Sequence, residues 1–237
     1  MKEKRAISLC IVVALTLGLL LTSCGAEKKN ENAELVPLPS PEFEVTEEDM
    51  FGVDKNINQE TIDNWLFRSD VAYRDMRMLY DPAEYAQIGG EADLTQTIEG
   101  FKVVPYPFIA TLQGLPVANA YTGDKLFEVV WTSDGHVESI KPLYEESMMI
   151  MEDLFPKDKA IFLMCGGGGY ANMTREVLIA LGWDSAKLYN TGANWTYQGN
   201  HAKELLIYSE SKDGHNTLAT WRADYAYIDF AKLNKLN

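Results

Sequence analysis

The run KAIFLM (159–164) leads into Cys165, four glycines, Tyr170 and a stretch of helical periodicity, and no other segment limits the fold so tightly. An apolar run of this length suits a strand buried on both faces, the kind found in parallel sheets. Met173, Val177 and Leu181 then recur at helical spacing, and Gly182 stands where a helix would stop. AKLYNT (186–191) reads as the next short strand. Strand, helix, strand is the repeating unit of a parallel sheet. Elsewhere VAYRDM (71–76) and FKVVPY (101–106) read as strands. NQETIDNWLF (58–67) reads as a helix carrying Ile62, Trp65 and Leu66, and PAEYAQI after Asp81 as a proline-started helical turn. YEESMMIMEDLF (144–155) predicts a helix with Met148, Met151 and Phe155 on one face. Residues 125–140, around Asp134-Gly135, and 205–221 read as hairpins. The expected class is α/β, with a mostly parallel sheet between helices and two added hairpins.

The amino terminus predicts export. Lys2, Lys4 and Arg5 precede an almost unbroken apolar run, and LTSC (21–24) closes it. A basic start, an apolar centre and small residues at the end describe a secretory leader. LTSC resembles the bacterial lipobox, which implies a signal peptide over 1–23 and acylation of the Cys24 sulfur. An uncleaved anchor with a chance cysteine is the alternative. Residues 25–50 are polar, acidic and dotted with prolines, so 24–50 reads as a flexible tether rather than a ligand-binding arm, and the domain is expected over 51–237. The expected location is the extracytoplasmic side of the cell envelope, held to the membrane by the lipid.

Charge and cysteine usage narrow the function. The 237-residue chain carries −14, and loss of Lys2, Lys4, Arg5 and Glu3 with the leader, a net +2, leaves −16 on the remaining 214 residues. Such a chain is repelled by phosphate backbones, which argues against nucleic acid as a partner. With Cys10 removed and Cys24 acylated, Cys165 is the one free thiol of the exported chain. It has no disulfide partner and is either buried and inert or kept for its reactivity.

In a parallel sheet Cys165 falls at the carboxyl end of a strand, where α/β proteins place their sites. The loop 166–170 should follow, with a helix starting near Ala171. Successive N–H groups of such a loop, backed by a helix start, converge on one point and favour an anion there. The expectation is a thiol pKa lowered by this nest. Glycine suits the loop because positive φ and close backbone approach exclude other residues.

The order of these features resembles a rhodanese domain. Residues 162–200 match that family's second half: a strand, a cysteine opening a short loop, a helix ending in Leu181-Gly182, a strand through Tyr189, a glycine turn at Gly192-Ala193 and a later aromatic at Tyr197. Upstream, Asp75 and Arg77 match the family's Asp-x-Arg, Glu84 and Tyr85 its acidic-aromatic helix start, and Gly100 and Pro105 the segment after it. The likeness covers roughly 58–200, with an insertion near 107–158 and an extension near 201–237. It implies a five-stranded, mostly parallel sheet and a sulfurtransferase without cofactor or metal. Cys165 would take sulfane sulfur from a small donor as a persulfide and pass it to a thiol acceptor. The N–H groups of Gly166, Gly167, Gly168, Gly169, Tyr170 and Ala171 would cradle the persulfide, with Asp75 and Arg77 in support.

The chain departs from the family in three places. Residues 166–171 hold no Arg or Lys, so a weakly charged persulfide should suit the cradle better than thiosulfate. Gln96-Thr97 stands where Gly-His is usual. The insertion is long, and its hairpin is placed to cover the site or dock a protein partner. The alternative function is a catalytically weak or inactive binding module for a protein or thiol carrier. A cysteine phosphatase would need Arg where Ala171 stands, and Arg175 is a further turn along. His136, His201 and His215 form no paired motif with Cys165. Thioethers of SMMIM (147–151) could hold Cu(I), but their helical spacing favours core packing.

Overall fold

The computed structural model describes residues 35–43, 51–77, 96–110, 123–204, 208–212, 215–219 and 228–236. The expected leader, Cys24, most of the expected tether, and the expected helical turn with Glu84 and Tyr85 lie outside them. The chain divides after Leu38, and the fold below is that of Pro39–Asn237.

In chain order the strands are β1 (Val71–Asp75), β2 (Gln96–Ile98), β3 (Lys102–Val103), β4 (Phe127–Trp131), β5 (Val137–Pro142), β6 (Ala160–Cys165), β7 (Leu188–Ala193), β8 (Ala202–Glu204), β9 (Tyr208–Lys212) and β10 (His215–Ala219). The helices are α1 (Tyr106–Ile109), α2 (Ser147–Leu154) and α3 (Gly169–Ala180). Four strands form a wholly parallel sheet in the order β3-β1-β6-β7. All six residues of β6 are buried, so its backbone is satisfied by β1 and β7 and its side chains by both faces. Ile161, Leu163 and Cys165 join the main core with Met151, Phe155, Ala171, Val177 and Leu178. Phe162 points the other way, in edge contact with Tyr73 and Tyr189. Helix α3 returns the chain from β6 to β7. It ends where the Leu181 and Gly182 amides bond back into the last turn, with Gly182 at φ 93° as the expected stop.

The sheet of the expected α/β class is therefore present, with four strands among the described residues. Both hairpins form. β4 pairs antiparallel with β5, and β9 with β10, where Lys212 lies opposite His215 and the Asp213-Gly214 turn falls outside the described residues. The β4–β5 hairpin is tied to α3 by His136 Nδ1, 2.8 Å from Glu176 Oε2. A third pair, β2–β8, has no counterpart in the sequence reading.

Three expectations are corrected. The helix over 58–67 is only a 3-10 turn, Ile62–Trp65. Asn58 and Thr61 spend their side chains on nearby backbone, an alternative that competes with helix, and Phe67 at φ 61° ends the turn. The strand over 101–106 reduces to Lys102–Val103, because Pro105 has no N–H to give and Tyr106 opens α1. Helix α3 starts at Gly169, so the glycine loop is shorter than expected and its last glycine is helical.

Phe162 has no exposed surface. Phe162→Ala should destabilise the protein by about 3–5 kcal/mol, read as a lowered urea midpoint.

Candidate active site

The carboxyl ends of β1 and β6 mark the switch point of the parallel sheet. From β1 the chain moves to β3 on one side, whereas from β6 it moves through α3 to β7 on the other. Strand order reverses between β1 and β6, and such switch points are where open α/β sheets bind ligands. Cys165 ends β6, and Asp75 ends β1 beside Met164.

Cys165 is 3% exposed. Its Sγ accepts the Gly168 N–H at 3.0 Å. Burial is the larger influence on the thiol and pushes its pKa up. The N–H groups of Ala171, Tyr170, Gly168 and Gly167 pull it down, and the net result lies above the ordinary thiol value. The nest expected from the sequence is there, but the expected lowering of the thiol pKa is not: desolvation outweighs four neutral donors.

Two loop glycines have structural reasons. Gly168 sits at φ 92°, in the left-handed region that resists a Cβ. A Cβ on Gly166 would collide with the Trp195 indole. Gly168 is also held from β7. Asn190, buried, donates from Nδ2 to Gly168 O at 3.2 Å and to Phe51 O at 2.9 Å, while its Oδ1 accepts the Gly192 N–H at 3.1 Å. This grip depends on a bulge. Asn190 faces Leu163 but Gly192 faces Met164, so Thr191 is extra, and its hydroxyl bonds Leu163 O at 3.1 Å. Tyr170, in the first turn of α3, stacks on the buried Tyr106 ring at 5.7 Å.

Asp75 and Arg77 are brought together beside this loop. Arg77 Nη2 lies 2.6 Å from Asp75 Oδ2 in a fully buried pair, with Nε bridging both carboxylate oxygens. Thr97, which occupies the place where the family resemblance expects histidine, donates its hydroxyl to Asp75 at 2.8 Å. Arg77 Nη1 donates to Asn194 Oδ1 at 2.8 Å, and the next residue, Trp195, donates its N–H to Gly166 O at 3.4 Å. The pair therefore braces the β7 exit over the thiol loop. Arg175 turns to Glu176 at 2.9 Å and over the Phe43 ring at 4.1 Å. Among the described residues no cluster of His, Cys, Asp and Glu could hold a metal.

Cys165, its loop, Asp75 and Arg77 were legible in the sequence. Thr97 stood out only as a departure from the family pattern, and Asn190 and Trp195 were not singled out. A polar residue inside a short apolar strand, as in LYNT, was the available signal for Asn190.

Two outcomes are expected. Asp75→Ala leaves Arg77 buried without its counter-ion and should cost about 3–5 kcal/mol in urea unfolding. Because a raised pKa keeps the thiol protonated, the alkylation rate of Cys165 should still be climbing at pH values where the urea-unfolded chain has reached its plateau. A folded profile at or below the unfolded one would contradict the burial account. Searches against protein-family models, curated proteins and solved structures found no match for this chain.

Proposed function

We propose that this protein is an extracytoplasmic, lipid-anchored sulfurtransferase that carries sulfane sulfur on Cys165. One observation supports the reading above the others: the one thiol among the described residues ends a strand at the switch point of a parallel sheet, faced by the backbone N–H groups of Gly167, Gly168, Tyr170 and Ala171. The membrane anchor and the location rest on the leader and LTSC alone.

In the first half-reaction the Cys165 sulfur attacks the outer sulfur of a persulfide donor, R–S–SH. The donor's S–S bond breaks, its electron pair leaves with the inner sulfur, and that sulfur takes up the proton Cys165 gives up. The products are Cys165–S–SH and R–SH. In the second half-reaction an acceptor thiol attacks the outer sulfur, the Cys165 S–S bond breaks, and R′–S–SH departs from regenerated Cys165. Neither half-reaction changes the overall oxidation level. A persulfide is more acidic than its thiol, so the outer sulfur is the atom that ionises, and the neutral N–H donors stabilise that charge as an oxyanion hole does. The donor follows from the same electrostatics. The loop offers dipoles and no side-chain cation, and the Arg77 charge faces Asp75. A weakly charged persulfide therefore suits it better than thiosulfate, a dianion whose lost hydration calls for charged partners.

The second reading, a weakly active or inactive module that docks a protein or thiol carrier, has its own observation in the buried, protonated thiol. Mass spectrometry of the peptide that holds Cys165, to which Cys10 and Cys24 do not contribute, separates the two. After treatment of the reduced full chain with an organic persulfide, one sulfur should be gained, lost on addition of a thiol, absent in Cys165→Ala, and gained faster than from thiosulfate. No gain at Cys165 from any sulfane donor would sink the sulfurtransferase reading and leave the binding module.

A further inference from the structure

We propose that Trp195 sets the specificity of the Cys165 site by standing in for a side chain that its loop lacks. The inference rests on the reading of Cys165 as the reactive thiol. Gly166 and Gly167 directly follow that thiol and carry no side chains. The space a Cβ on Gly166 would need is filled by Cε2, Cζ2 and Nε1 of the Trp195 indole, and a Cβ on Gly167 would sit 3.5 Å from its Cζ3. The ring thus lies across both residues.

Its placement is braced from two directions. The β6–β7 register sets Cys165 opposite Ala193, two residues before Trp195. The Trp195 N–H then bonds Gly166 O at 3.4 Å, and the preceding Asn194 is clamped by Arg77. A tryptophan serving the core alone would be buried, as Trp183 is at 5% exposure, but Trp195 is 47% exposed. One part of the ring rests on Gly166 and Gly167 and the rest faces solvent, while the adjoining Cys165 is almost wholly buried.

This geometry selects by shape and by charge. A compound that reaches Sγ passes an aromatic wall, so slim molecules are admitted and wide ones are turned away. The wall offers dispersion and a π face instead of a formal charge, which helps a short, weakly charged alkyl persulfide and gives a dianion nothing for its lost hydration. It also accounts for glycine at 166, where any larger residue would push the indole off the loop.

The test is alkylation of Cys165 in the folded full chain, read by peptide-resolved mass spectrometry so that Cys10 and Cys24 do not contribute. Iodoacetamide is the slim neutral probe and N-phenylmaleimide the wide one. Trp195→Ala should raise the wide probe's rate on the order of tenfold and the slim probe's by about twofold or less, the scale set by removing one wall of an apolar pocket. Trp195→Phe, which keeps an aromatic wall, should stay near the parent. If Trp195→Ala does not fold, Gly166→Ala, which displaces the indole from the opposite side, is measured in its place with the same expectation. Alkylation whose slim-to-wide ratio does not change overturns the role of Trp195 and leaves the sulfurtransferase reading standing. Absence of alkylation by either probe, in parent and variant alike, overturns both.

Discussion

Burial of β6 on both faces is the constraint on which the rest of this structure depends. Six buried residues with backbone groups that must be paired can be accommodated only between two neighbouring strands, and β1 and β7 supply them. Because α3 carries the chain to one side while the route from β1 leads to the other, the end of β6 lies where the strand order reverses. The thiol's position follows from that arrangement. So does its electrostatics, since the packing that fixes the sulfur also removes it from water.

The site therefore balances two opposed effects. Four N–H dipoles favour negative charge on sulfur, and desolvation disfavours it more. Neutral donors lose this contest at Sγ itself. A cation would have changed the balance, but the guanidinium of Arg77 is committed to Asp75 and to holding Asn194, and that of Arg175 to Glu176 and Phe43. Arginine here braces the fold, and the groups that face the sulfur are main-chain N–H donors.

Much of this could be read in advance where the controlling interactions are local. KAIFLM, the apolar spacing through Met173, Val177 and Leu181, and the Asp134-Gly135 turn each carry their structure in neighbouring residues. The reading failed where long-range or competing local bonds decide. Ile62, Trp65 and Leu66 have helical spacing, yet Asn58 and Thr61 divert the backbone into a single 3-10 turn. The β2–β8 pair joins segments about a hundred residues apart and leaves no periodic trace. Asn190 and Trp195 matter through partners in loops distant in the chain, and only the polar side chain within LYNT hinted at the first.

The sequence by itself determined a buried strand ending in one thiol, a glycine loop entering a helix, and an Asp-x-Arg able to pair. These depend on apolar period, backbone permissiveness and charge, which are properties of short stretches. Only the tertiary structure decided what surrounds the sulfur. The sheet order set how deeply it is buried, and so the sign of its pKa shift. The register and bulge between β6 and β7 brought Asn190 to the loop carbonyl and Trp195 over the glycines. Desolvation and steric cover come from atoms far away in the chain, and no local pattern encodes them.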